Sequence, residues 1–111
     1  MNVSLKVAME GDPSREMRFT LDPLHEGVDG GTWSKQQQSG LGVQPDSGHW
    51  SYVDYSGEIW LSEGNDVFTA VRVDSDWSRS LIGGTTVMGQ GWMQRTSEGD
   101  INVLYSMEAT S

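Results

Sequence analysis

The sequence predicts an all-β domain, a single antiparallel β-barrel or barrel-like sandwich of seven to eight strands joined largely by hairpins. Three observations predict it. Apolar and polar residues alternate at period two over several runs, the pattern of half-buried strands. Glycine-centred turn signals separate those runs, and 14 glycines with a hydrophobic content of 35% suit short strands and a thin core better than a helical bundle. A meander of such strands would expose its edges, and closure into a barrel removes them. The 111 residues are enough for one core and not for two, so residues 1–111 form a single domain.

In chain order, residues 3–10 place Val3, Leu5, Val7 and Met9 on one side of a strand, and residues 15–22 do the same with Met17, Phe19 and Leu21. Gly11-Asp12-Pro13 is the turn signal between them. For both apolar rows to share a face the loop must hold an odd number of residues, three or five, because an even loop sets Met9 opposite Glu16. From Pro23 to Gly48 the pattern breaks at Asp29-Gly30-Gly31, Ser39-Gly40 and Pro45-Asp46-Ser47-Gly48, with residues 31–37 and 41–44 as candidate strands.

His49 to Asp74 reads as one large hairpin turning at Ser62-Glu63-Gly64, where Gly64 is expected at positive φ. Pairing outward sets Leu61 opposite Asn65, Ile59 opposite Val67, Tyr55 opposite Val71 and Val53 opposite Val73, with Asp54 facing Arg72 on the other side. Asp74 to Gly84 reads as a loop containing Trp77, followed by a strand over residues 85–95. A last hairpin aligned on Ser97-Glu98-Gly99 pairs Met93 with Val103, Gly91 with Tyr105 and Gly89 with Met107. Large residues then face glycines, as in a tightly curved sheet. No segment reads as a helix.

Charge and composition exclude several classes. Sixteen carboxylates against seven Lys and Arg give a net charge of −9, which repels nucleic acid and anionic membranes. The absence of cysteine removes disulfides, a thiolate nucleophile and Cys-ligated zinc. The opening residues MNVSLKVAME alternate instead of forming a signal sequence, and no apolar run reaches the roughly 18 residues of a spanning helix. The expectation is a soluble, cytoplasmic protein with neither nucleic acid nor membrane as partner.

Motifs of chemistry are few. His25 and His49 have no companion at metal-ligand spacing. Asp74-Ser75-Asp76-Trp77-Ser78 resembles the start of a calcium loop but lacks the central glycine and closing glutamate, so no metal is expected. No P-loop, nucleophile elbow or dinucleotide fingerprint implies a cofactor. The unusual feature is a set of large aromatics, Trp50, Tyr52, Trp60 and Phe68, that the hairpin reading puts on one face with Asp54, Glu58 and Arg72. Such a face is a ligand-lined lumen, an oligomer interface, or the second side of a closed core. In a lumen, Trp50, Tyr52, Trp60, Phe68 and Arg72 would contact the ligand, and Asp54 or Glu58 would have a raised pKa suited to a general acid. A structural pair with Arg72 is the plainer role for Asp54.

Gly83-Gly84-Thr85, continuing to Met88 and Gly91 and ending at Tyr105, resembles the closing hairpin of the allene-oxide-cyclase and dirigent-like barrels. The resemblance covers residues 82–109. It implies an eight-stranded barrel, often oligomeric, whose lumen holds an apolar small molecule and in some members directs its cyclisation. No catalytic residue is carried over from it.

Two functions are therefore expected of different classes. One is a small-molecule-binding barrel, a cyclase or isomerase that shapes an apolar substrate in its lumen. The other is a non-enzymatic, self-associating structural protein, a component of a larger assembly or a virus particle. A homo-oligomer is expected, and a clean monomer would favour the first function.

Overall fold

A computed structural model describes residues 1–37, 46–95 and 99–110. Eight strands close a barrel in sequence order: β1 (Asn2–Met9), β2 (Asp12–Asp22), β3 (Gly30–Gln37), β4 (Ser47–Val53), β5 (Glu58–Glu63), β6 (Asp66–Arg72), β7 (Val87–Arg95) and β8 (Gly99–Thr110). Each strand pairs antiparallel with its neighbours, and β8 returns to β1. The predicted all-β barrel is the observed fold. One short helix, α1 (Trp77–Ile82), lies between β6 and β7 within the stretch read as a loop. It forms because Trp77 and Leu81, four residues apart, share one side and are both buried. The candidate strand at 41–44 and the Ser97-Glu98 turn fall outside the described residues.

Period-two alternation settled the faces of β1 and β2. Val7 pairs with Met17, Leu5 with Phe19 and Val3 with Leu21, all inward and at most 1% exposed. The tip differs from the expected three- or five-residue loop. Met9 pairs with Asp12 across Glu10-Gly11, and a bulge beside Ala8 supplies the odd count instead. In the last hairpin Met93 pairs with Ile101, Gly91 with Val103 and Gly89 with Tyr105. That is two residues from the expected register. A two-residue slip preserves the face, so the inward rows are as anticipated.

The stretch His49 to Asp74 is three strands and not one hairpin. Asp54-Tyr55-Ser56-Gly57 is itself a turn, with Gly57 N–H donating to Val53 O at 2.9 Å and Tyr55 85% exposed. Tyr52 consequently pairs with Ile59, and Trp50 with Leu61. Gly64 has φ 58° as expected, but the pairs are Ile59 with Val71 and Glu58 with Arg72. Asp54 is exposed in the turn and does not face Arg72. A bulge between Leu61 and Ser62 leaves Phe68 as the extra residue and sets Val67 opposite Ser62, on the outer side. Ile59 and Val67 thus lie on opposite faces.

Inside, the barrel is filled by its own side chains. Phe19, Trp33 and Phe68 form an aromatic cluster with ring centroids 5.0 to 6.0 Å apart. At one mouth, Trp77 of α1 packs on Trp50 at 5.9 Å and on Tyr52 at 5.8 Å, so the helix acts as a plug. Three of the largest interior residues lie along the wall, and each crosses a glycine. Trp33 passes over Gly48 of β4, and its indole N–H donates to Ser62 O of β5 at 2.9 Å. Trp50 passes over Gly31 of β3 and donates to Asp22 O of β2 at 3.1 Å. Tyr105 lies against Gly89 of β7, and its hydroxyl donates to Arg72 O of β6. The glycines remove the Cβ that would occupy the ring's path, and the carbonyls satisfy polar atoms that would otherwise be buried unpaired.

This geometry generates a stability prediction. A Cβ at Gly48 would stand 2.1 Å from Ser62 O and 2.6 Å from Trp33 Nε1, so neither backbone nor ring can give way cheaply. Gly48→Ala should destabilise the fold by about 2–3 kcal/mol in urea denaturation, the scale of core overpacking. An effect below about 0.5 kcal/mol, that of an ordinary surface change, would contradict the crossing.

Candidate functional site

The residues singled out in the sequence separate into two groups. Trp50 and Tyr52 point inward with Ile59 and Leu61, and Phe68 joins them through the β6 bulge. Trp50 is 3% exposed, its indole N–H engaged by Asp22 O and its ring covered by Trp77. Trp60, Glu58 and Arg72 instead face outward. The shared aromatic face does not form, because the turn at Asp54–Gly57 reverses the parity between β4 and β5. Neither candidate acid is in an apolar lumen. Asp54 is exposed in its turn, while Glu58 accepts a hydrogen bond from Trp60 Nε1 at 3.0 Å on the outer face.

The outer group is joined by a residue that the sequence reading passed over. Trp60 pairs with Ala70, and Ala70 with Trp92 on β7. Ala70 is outside the barrel and still 0% exposed, so the large side chains flanking it cover it. Beyond Trp92 on β7 stands Met88, 70% exposed, and on β8 Leu104, 45% exposed, is diagonal to both. The result is an apolar belt across β5 to β8, edged by Glu58 and Arg72, which oppose each other in the register. The signal in the sequence was the alternation Met88, Gln90, Trp92 on the polar side of β7.

A second feature lies where β6 and β7 part. Three positions pair them, Thr69 to Val71 with Met93 to Gly91, against nine between β7 and β8. The chain leaves the sheet there to form α1. A depression of about 340 Å³ opens between the strands, lined by Arg72, Asp74, Val87, Met88 and Tyr105 among others. Tyr105 spans its floor to cap Arg72 O. Burial, helped by the Asp74 carboxylate, raises the Tyr105 pKa from 10.0 to about 12. Such a phenol is a hydrogen-bond donor at neutral pH and not a base. Among the described residues, no three His, Asp or Glu side chains gather as a metal site, and no helix is long and apolar enough to cross a membrane.

The Tyr105 shift has a definite sign. Folding holds the proton on, whereas the unfolded chain releases it near pH 10, so this contribution is complete below pH 10 and is lost as pH rises towards 12. Absorbance titration of phenolate should find one tyrosine ionising near 12, and Tyr105→Phe should remove that step along with its part of the alkaline loss of stability. A Tyr105 that titrates at 10 or below contradicts its burial against Arg72 O.

No protein-family model matches this chain, and comparisons with curated proteins and with solved structures find no match either, so the resemblance at residues 82–109 rests on its own residues.

Proposed function

We propose that this protein is a non-enzymatic, self-associating structural barrel whose outer belt of Trp60, Ala70, Trp92, Leu104 and Met88 docks on a second copy. The observation that carries this reading is the belt itself. Two tryptophans and two exposed aliphatic side chains gather on the outside of a protein whose inside is already full. Large aromatics with flanking Arg are the composition of interface centres. The belt is also self-complementary. It carries one acid, Glu58, and one base, Arg72, so a two-fold arrangement sets each against its opposite in the partner. The alternative of an apolar guest in the lumen at Trp50, Tyr52 and Phe68 has less support, since a guest there competes with Trp77, Phe19 and Trp33 for the same rings.

Sedimentation at micromolar concentration should find a dimer or larger. Leu104→Ser combined with Met88→Gln changes neither the core nor the net charge and should raise the dissociation constant about tenfold, roughly 1.4 kcal/mol. Added salt should strengthen association, because screening weakens the mutual repulsion of two chains that each carry −9. A monomer that persists at about 100 μM, weaker than useful assembly affinities, rejects the assembly role.

A further inference from the structure

Across the barrel from the belt, a depression of about 620 Å³ lies on the outer face of β2, β3 and β4. With β3 and β7 four strands apart in a ring of eight, it is opposite the belt and independent of it. We propose that it binds a neutral, polyhydroxylated ligand, a saccharide of one to three units. Its volume falls within the roughly 300–1,000 Å³ of small-ligand sites.

The polar groups of the depression converge from adjacent strands. Asp22, Thr32 and His49 are consecutive cross-strand partners, and Thr20, Ser34 and Ser47 form the parallel row beside them. Glu63, on the rim, adds a second carboxylate. Long charged side chains begin two residues further along β2, where Arg18 pairs with Lys6 of β1, and neither of the two lines the depression. Among the described residues, no Lys or Arg lines the depression.

That donor and acceptor set selects the ligand class. Hydroxyls both donate and accept, carboxylates only accept, and an imidazole ring adds a nitrogen. A sugar's vicinal hydroxyls match all three. An anion finds no cationic side chain among the described lining residues and meets Asp22, Glu63 and a net charge of −9. A divalent cation lacks ligands, since no three candidate side chains gather among the described residues.

The site is also held in place before any ligand arrives. With its amide oriented to donate, Asn2 holds the Asp22 carboxylate at 2.9 Å. Gln36 Nε2 donates to the Thr20 hydroxyl. Beneath, Trp33 is tied to Ser62 O under Gly48, so the floor is part of the packed core. A preorganised polar wall loses less entropy on binding than a mobile one.

The test is an amide-resolved NMR titration of the whole chain with maltose, cellobiose and lactose, and with glucose 6-phosphate as the anionic probe. The expected result is saturable shifts confined to Thr32, Ser34, Ser47 and His49 for at least one neutral sugar, with the phosphate binding at least tenfold more weakly. Thr32→Val with Ser47→Ala should raise the dissociation constant at least tenfold while leaving other amide positions unchanged, and Leu104→Ser should leave it alone. If that double variant is unfolded, Ser34→Ala serves in its place with the same expected direction. Absence of saturable shifts with all three sugars, shifts that the variants leave intact, or tighter binding of the phosphate would each overturn the assignment.

Discussion

The structure depends on large aromatic side chains laid flat against the inside wall of a narrow barrel. Eight strands enclose a space just wide enough for side chains to fill. Trp33, Trp50 and Tyr105 cannot all point at the axis of that space. Each instead lies along the wall, across a strand that offers glycine at the crossing, and delivers its one polar atom to a carbonyl two strands away. Three constraints are met together: the volume fits, the buried donor is paired, and strands that are not neighbours are tied. Replacing either partner breaks more than one of them, since a smaller ring leaves a cavity and an orphaned acceptor while a larger wall residue blocks the crossing.

Much of this was legible in the sequence, at the level of faces. The rows Val3, Leu5, Val7 and Met17, Phe19, Leu21 alternate cleanly, and period two needs no knowledge of partners. The closing hairpin kept its inward face despite a two-residue shift of register. What escaped was parity. Asp54-Tyr55-Ser56-Gly57 carries turn chemistry of the same kind as Ser62-Glu63-Gly64, but it sits in an aromatic run that alternates through it. Missing that one turn carried Trp60 from the outside to the side of Trp50, while the tip at Gly64-Asn65, with Glu63 opposite Asp66, and the bulge beside Leu61 moved the partner of Arg72 from Asp54 to Glu58. Phe68 reached the core by a bulge, which the side-chain pattern alone does not announce. Helix α1, at six residues, is too short for helical periodicity to register, and its stability comes from Trp77 and Leu81 docking on the barrel.

The candidate sites follow from the same economy of space. Once Trp50, Tyr52, Phe68 and Trp77 are inside, the remaining large side chains of β5, β7 and β8 are left on the outer face, where they form a belt suited to a partner. The wall opposite, thinned by Gly31 and Gly48 and covered by short hydroxyl side chains, is instead concave and polar. In the proposed reading the outer faces of the sheet carry the function, and the lumen is the hydrophobic core that holds those faces in place.

Exchange of the five tryptophan indole N–H protons, followed by NMR, tests the inside-versus-outside assignment most directly. The Trp33 and Trp50 protons, bonded to Ser62 O and Asp22 O within the barrel, should exchange only on global or near-global unfolding, with protection approaching the full unfolding free energy. The Trp60 proton, on the outer face beside Glu58, should exchange orders of magnitude faster. Equal and rapid exchange at Trp33, Trp50 and Trp60 would contradict the packed interior on which the account stands.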